Sequence, residues 1–248
     1  VAVEAATAIG AHANADGRGA SALGHGANAT GTGTLALGSN TVTGANGATA
    51  VGSYASATSE NSIAIGGSAT SAVTDAAKAR AAAAIAIGKS ADASGDSSIA
   101  LGSNTQATKG SSLAIGNTTT ATGVSAAAFG PNSNAVNDYD VALGSSVNAS
   151  GSGSAAVGYL VNTTGNQAFG AGSNTTVSGP AAVGIGYKSE ATGNRAIALG
   201  SELSGTKNGA TADYAIAVGA GARGTAESAT AIGKQAAASK ADAIAFGT

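Results

Sequence analysis

The sequence predicts an all-β fold, a parallel β-solenoid of 14-residue coils, and three observations carry that expectation. A large apolar residue followed by glycine recurs seventeen times, mostly at 14-residue spacing. Alanine stands immediately before that pair in sixteen of the seventeen copies. The composition is that of a thin, regular object: 39 Gly, no Cys, Met or Trp, 3% aromatics and 10% charged residues.

The landmark glycines are Gly10, Gly24, Gly38, Gly52, Gly66, Gly88, Gly102, Gly116, Gly130, Gly144, Gly158, Gly170, Gly186, Gly200, Gly219, Gly233 and Gly247. A fixed period this short means stacked supersecondary units. Two short strands and two tight turns fill 14 residues, whereas helical repeats need at least twice that length. With strands about 4.8 Å apart, seventeen coils predict a rod of roughly 80 Å. The spacing breaks in two places, near residues 74–82 and near 203–210, and on each side of Gly170 gaps of 12 and 16 sum to two periods.

Each coil is read from its glycine. The residue before it is large in every coil, and two residues further back stand Leu35, Ile63, Ile85, Ile99, Leu113, Val141, Val183, Ile197, Ile216 and Ile244. Positions two apart share a face of a strand, so these columns line one side of a sheet. The alanine column between them includes Ala36, Ala50, Ala64, Ala86, Ala100 and Ala114. Its monotony predicts a covered, closely packed opposite face, either a column of close packing or the interface of a trimer.

After the glycine, the third and fifth positions are small, as in Ala27/Ala29 and Ala91/Ala93. This is the period-two signature of a second strand, whose small face suits opposition to the large one. Glycine then recurs at the seventh position, as Gly17, Gly31, Gly95, Gly123, Gly151, Gly165 and Gly193, where a return turn with positive φ is expected. The 24 charged residues avoid the strand positions assigned to the interior and fall in turns and outward slots.

The first interruption, Thr74 to Ala82, is alanine-rich and predicts a turn or two of helix. The second, Leu203 to Ala210, contains Asn208-Gly209, a turn dipeptide. Insertions in a repeat array map to loops, where recognition is often placed.

Chemistry-bearing signals are sparse. The net charge of −2 gives no electrostatic basis for nucleic-acid binding, and between Gly110 and Tyr187 the only charges are Asp138 and Asp140. His12 and His25 fall near one another on consecutive coils, with Asp16 the nearest third group, and read as exposed turn residues rather than metal ligands. Gly219 to Gly224 matches a dinucleotide-binding pattern but no helix follows it, so the repeat explains it instead. The expectation is therefore no enzyme, no catalytic residue, no metal and no cofactor.

The motif Ser-x-Ala-Ile/Leu-Gly at 14-residue spacing, as in Ser62-Ile63-Ala64-Ile65-Gly66, Ser98-Ile99-Ala100-Leu101-Gly102 and Ser112-Leu113-Ala114-Ile115-Gly116, resembles the YadA-like heads of trimeric autotransporter adhesins. The resemblance covers residues 1–248 as one repeat domain. It implies a left-handed parallel β-roll, side-by-side assembly as a homotrimer and display on the bacterial cell surface. Membrane contact would come only through a C-terminal anchor and stalk outside this sequence. It also implies binding of host extracellular-matrix proteins of the collagen, fibronectin or laminin type, or of host cell-surface receptors. Collagen-binding relatives carry Asn-Ser-Val-Ala-Ile-Gly-x-x-Ser, to which Asn61, Ser62, Ile63, Ala64, Ile65, Gly66 and Ser68 correspond with Ile for Val and one residue fewer. The alternatives are an ice-binding solenoid, which no unbroken outward Thr column supports, and a purely structural β-solenoid spacer. A left-handed β-helix acyltransferase fits less well, since it runs on hexapeptides and would need a catalytic His.

Overall fold

A computed structural model describes residues 5–68 and 75–247. The chain forms two compact units that meet in sequence at Ser125 and Ala126. Both are built from the same coil.

In the first unit, eight three-residue strands run from Thr7–Ile9 to Leu113–Ile115. They alternate along the chain with eight two-residue strands, from Asn14–Ala15 to Thr120–Ala121. The second unit continues the alternation from Ala127–Phe129 to Ile244–Phe246. Within each unit the strands pair in parallel with their equivalents one coil on, so like residues stack: Ile85, Ala86 and Ile87 stand on Ile99, Ala100 and Leu101. The insertions do not disturb the register. Ile63 pairs with Ile85 across the first, and Ile197 with Ile216 across the second.

Two turns close each coil, and both need left-handed backbone. In the coil around Gly24, a β-turn ends with Ala20 N–H donating to the Gly17 carbonyl at 3.0 Å, with Gly19 at φ +68°. The other runs from Gly24, at φ +134°, through Gly26 to Ala27. At the equivalents of Gly26, Asn40 and Asn104 take φ near +50°, a region Asn tolerates better than most residues. The landmark glycines other than Gly170 and Gly247 take φ from +104° to +154° and admit no side chain at reasonable cost.

The interior is the reverse of the expected one. Ala36, Ala50, Ala64, Ala86, Ala100 and Ala114 have no exposed area within a single chain, and face the equally buried Ala27/Ala29 type positions of the second sheet. The large residues on either side of that column point outward, with Leu37 41% exposed and Ile65 38%. Among the described residues no fully buried apolar side chain is larger than Val. Two sheets joined by two-residue turns lie too close together to hold Ile or Leu between them, so the large members of an all-apolar strand go outside.

Several local readings are corrected with it. The landmark near residue 170 is Gly172, at φ +126°, which pairs with Gly158 and Gly186, so the period there is an unbroken 14. Gly170 instead occupies the alanine column, beside Ala156 and Gly184. Glycine at the seventh position does not serve positive φ. A Cβ on Gly17 would lie 1.8 Å from the Gly31 carbonyl oxygen, so the next coil's backbone excludes it.

Thr74 lies outside the described residues. Of the segment that follows, Asp75 has 3-10 backbone, and Lys78–Ala79 is a regular strand paired with Ser56–Ala57 and Asp92–Ala93. In the second insertion the tight turn is at Ser204-Gly205, both left-handed, closed by reciprocal backbone hydrogen bonds between Leu203 and Thr206. Asn208 is fully buried in an alanine slot. Its Nδ2 donates to the Ala217 and Gly219 carbonyls at 3.1 and 3.0 Å, and its Oδ1 accepts from Ser189 Oγ at 2.9 Å.

Candidate functional site

A coil this thin leaves no room for an internal site, so anything recognised meets one of its outer faces. The outer face of the three-residue strands is apolar. In the first unit it carries Leu37, Ile65 and Leu101, and in the second Leu143, Ile185 and Ile232, each 38–47% exposed. Contiguous apolar surface of this kind marks an interaction face in soluble proteins. The alanine column has no exposed area within a single chain and so offers no surface to a partner chain. The flanking Ile and Leu columns are the available faces.

The seven residues of the candidate adhesion motif divide in the same way. Ser62 and Ala64 are completely buried and Ser68 is 8% exposed, which withdraws them from any contact with a partner. Ser62 Oγ donates to the Ser59 carbonyl at 2.6 Å, and Ser112 Oγ to that of Lys109 at 2.7 Å. The motif's serine thus caps the return turn. Ser98, in the same slot, has an unpartnered hydroxyl. Asn61 is exposed and left-handed at φ +54°, and with Ile63 and Ile65 it forms the part of the motif that faces outward.

The outer face of the two-residue strands is polar and laddered. Asn14 donates to Asn28 at 3.0 Å, and Asn148 to Asn162 at 2.8 Å, each pair stacked one coil apart. The charges predicted for this slot are here, in ion pairs of Arg80 with Asp92 and Lys207 with Glu190. Lys188 lies 2.8 Å from Glu202, whose hydrogen bond, followed by that of Tyr187, holds its ammonium above the ordinary lysine pKa.

Asp140 departs from the expected sorting of charge. It is fully buried and accepts from the Ser154 backbone N–H and hydroxyl at 2.8 and 3.0 Å, and from the Asn137 N–H at 2.8 Å. Hydrogen bonds of this kind are what allow a carboxylate to be buried. A composition-level reading missed it because its position, four before Gly144, holds Ala, Ser or Thr in the other coils of regular length.

His12 and His25 do come together, edge to face with ring centroids 5.7 Å apart, and both are exposed. Among the described residues no group of three His, Cys, Asp or Glu is placed to hold a metal ion. A cavity of about 240 Å³ lies beside the second insertion, lined by Glu190, Lys207 and Arg223 among others.

A family model of two copies of the YadA head domain repeat matches residues 4–27, 15–41, 44–69, 79–105, 93–119, 107–133, 121–146, 178–202 and 225–248, together more than half of the chain. No curated protein matches the chain. Two of the unmatched segments have structural counterparts. Residues 147–177 are where the interior exchanges alanines for Val147, Val161 and Val177, and 203–224 contains the inserted turn.

Proposed function

From the premise that the chain belongs to the YadA head domain repeat family, we propose that it is the adhesive head of a bacterial surface adhesin. Three copies assemble through the outward Ile and Leu columns, and the assembly binds host extracellular-matrix or cell-surface molecules. The observation that supports this most is the division of the coil's exterior into an apolar face and a polar, laddered face, repeated coil after coil in each unit. The apolar face is of the kind that assembly closes off from water. The polar face carries few charges and offers many equivalent weak contacts. Contacts repeated along an array and multiplied by symmetry give avidity without a single deep site.

Adhesion assays on immobilised collagen, fibronectin and laminin test this reading. Removal of successive whole coils should weaken adhesion by degrees. Loss of all adhesion on one outward substitution would contradict a distributed surface.

A further inference from the structure

The polar face of the second unit has one gap. Thr176, Glu190, Gly209 and Arg223 occupy the same outward slot on consecutive coils and stack in register. Across the array this slot holds Asn, Asp, Glu, Gln, Lys, Arg, Ser, Thr, Val or Ala, and glycine only at 209. The backbone does not require glycine there. Its φ is outside the left-handed region, and an added Cβ would meet Thr211 Cγ2 at 3.6 Å and the Glu190 carbonyl oxygen at 3.8 Å, which is ordinary contact.

What the missing side chain does is leave a floor bare. The inserted turn rises on one side, with Gly205, Thr206 and Lys207, and Arg223 stands on the other. Thr211 and Thr225 complete the lining of a cavity of about 240 Å³. Lys207 is ion-paired with Glu190, while Arg223 is exposed and has no ion pair among the described residues. The cavity therefore carries one uncommitted guanidinium, three threonine hydroxyls and a carboxylate held in place.

We infer that this cavity binds a single carboxylate-bearing sugar ring of the uronic-acid type. A guanidinium fork matches a carboxylate through two parallel hydrogen bonds. Threonine hydroxyls both donate and accept, as ring hydroxyls do, and Glu190 accepts from one more. The volume is below the roughly 300–1,000 Å³ of pockets that take drug-sized ligands, which limits the occupant to one ring. The inference stands on the cavity alone. Failure of sugar binding would leave adhesion through the array's outer faces as proposed, and failure of adhesion would leave sugar binding in solution measurable.

The test is a titration of the 248-residue chain with glucuronate, glucose and glucose 6-sulfate, followed by NMR or calorimetry. Glucuronate should bind saturably and glucose at least about tenfold more weakly, the usual scale of a charged hydrogen bond. Arg223→Gln should lose about tenfold or more in affinity for glucuronate. Gly209→Val should abolish binding. Both replacements are residues the array already accepts in this slot, at Gln106 and Val42, so both variants should unfold at the wild-type temperature. Equal binding of glucose and glucuronate, wild-type affinity in either variant, or no saturable binding of glucuronate at tens of millimolar would overturn the inference. Preference for glucose 6-sulfate over glucuronate would overturn the carboxylate assignment.

Discussion

The Cγ2 of Val177 lies 2.6 Å from the point where Gly184 would carry a Cβ. In coils such as those of Ala27/Ala29 and Ala91/Ala93 the interior sets alanine against alanine, and here it sets glycine against valine. The same exchange occurs at Gly170, where a Cβ would meet Thr163 Oγ1 at 2.3 Å and Val161 Cγ1 at 3.1 Å. At these two positions a larger residue in one sheet is matched by glycine in the other.

Gly184→Ala alone should destabilise the chain by about 1–3 kcal/mol through overpacking. Combined with Val177→Ala it restores the ordinary pair of the array, and most of that loss should be recovered. A double-mutant cycle on thermal unfolding measures the coupling, expected at about 1–3 kcal/mol.

Gly17 and Gly19 stand in one turn and should respond for different reasons. A Cβ at Gly17 meets the Gly31 backbone at 1.8 Å, whereas one at Gly19 meets nothing within 4 Å and only violates φ +68°. Gly19→Ala should cost about 1–2 kcal/mol, the usual penalty for a left-handed alanine. Gly17→Ala should cost more, because two coils must separate to admit it. Denaturant midpoints of the two variants give the order.

Much of this was legible in the sequence. The 14-residue period, the placement of both strands in each coil and the stacking of Ala on Ala all follow from the recurring glycine. Which face of the strand turns inward did not, because both faces are apolar in Ile63-Ala64-Ile65. The usual expectation sends the larger residues inside, and it fails where the sheets are too close to hold anything larger than valine. Gly170 follows a large apolar residue and Gly172 follows alanine, so the identity of Gly172 as the true landmark emerged only from register. Asn208-Gly209 has the composition of a turn, yet Asn208 is an interior residue because three backbone carbonyls and Ser189 are placed to satisfy it.

Asn208→Ala should therefore destabilise the second unit although alanine is the common residue of that slot. It leaves Ser189 without one partner and the Ala217 and Gly219 carbonyls without their side-chain donor, at about 1–3 kcal/mol. If calorimetry shows no change, the polar bridge contributes nothing net and the slot is governed by volume alone.

The inverted interior makes adjacent residues opposite in character. Ala64→Asp places a charge between two sheets with no partner and should prevent folding. Ile65→Asp changes a side chain that is already 38% exposed and should leave the circular dichroism of the coil intact. A loss of β-structure in the second variant would mean that the Ile column is needed inside a single chain.

The mass in solution of the wild type and of an Ile65→Asp, Leu101→Asp variant, measured by light scattering over a range of concentrations, tests the central claim most directly. The wild type should give three chains of 22.7 kDa, about 68 kDa, and the folded variant should dissociate. A wild type that stays at 22.7 kDa at every concentration, or a variant that remains a trimer, would contradict assembly through the outward Ile and Leu columns.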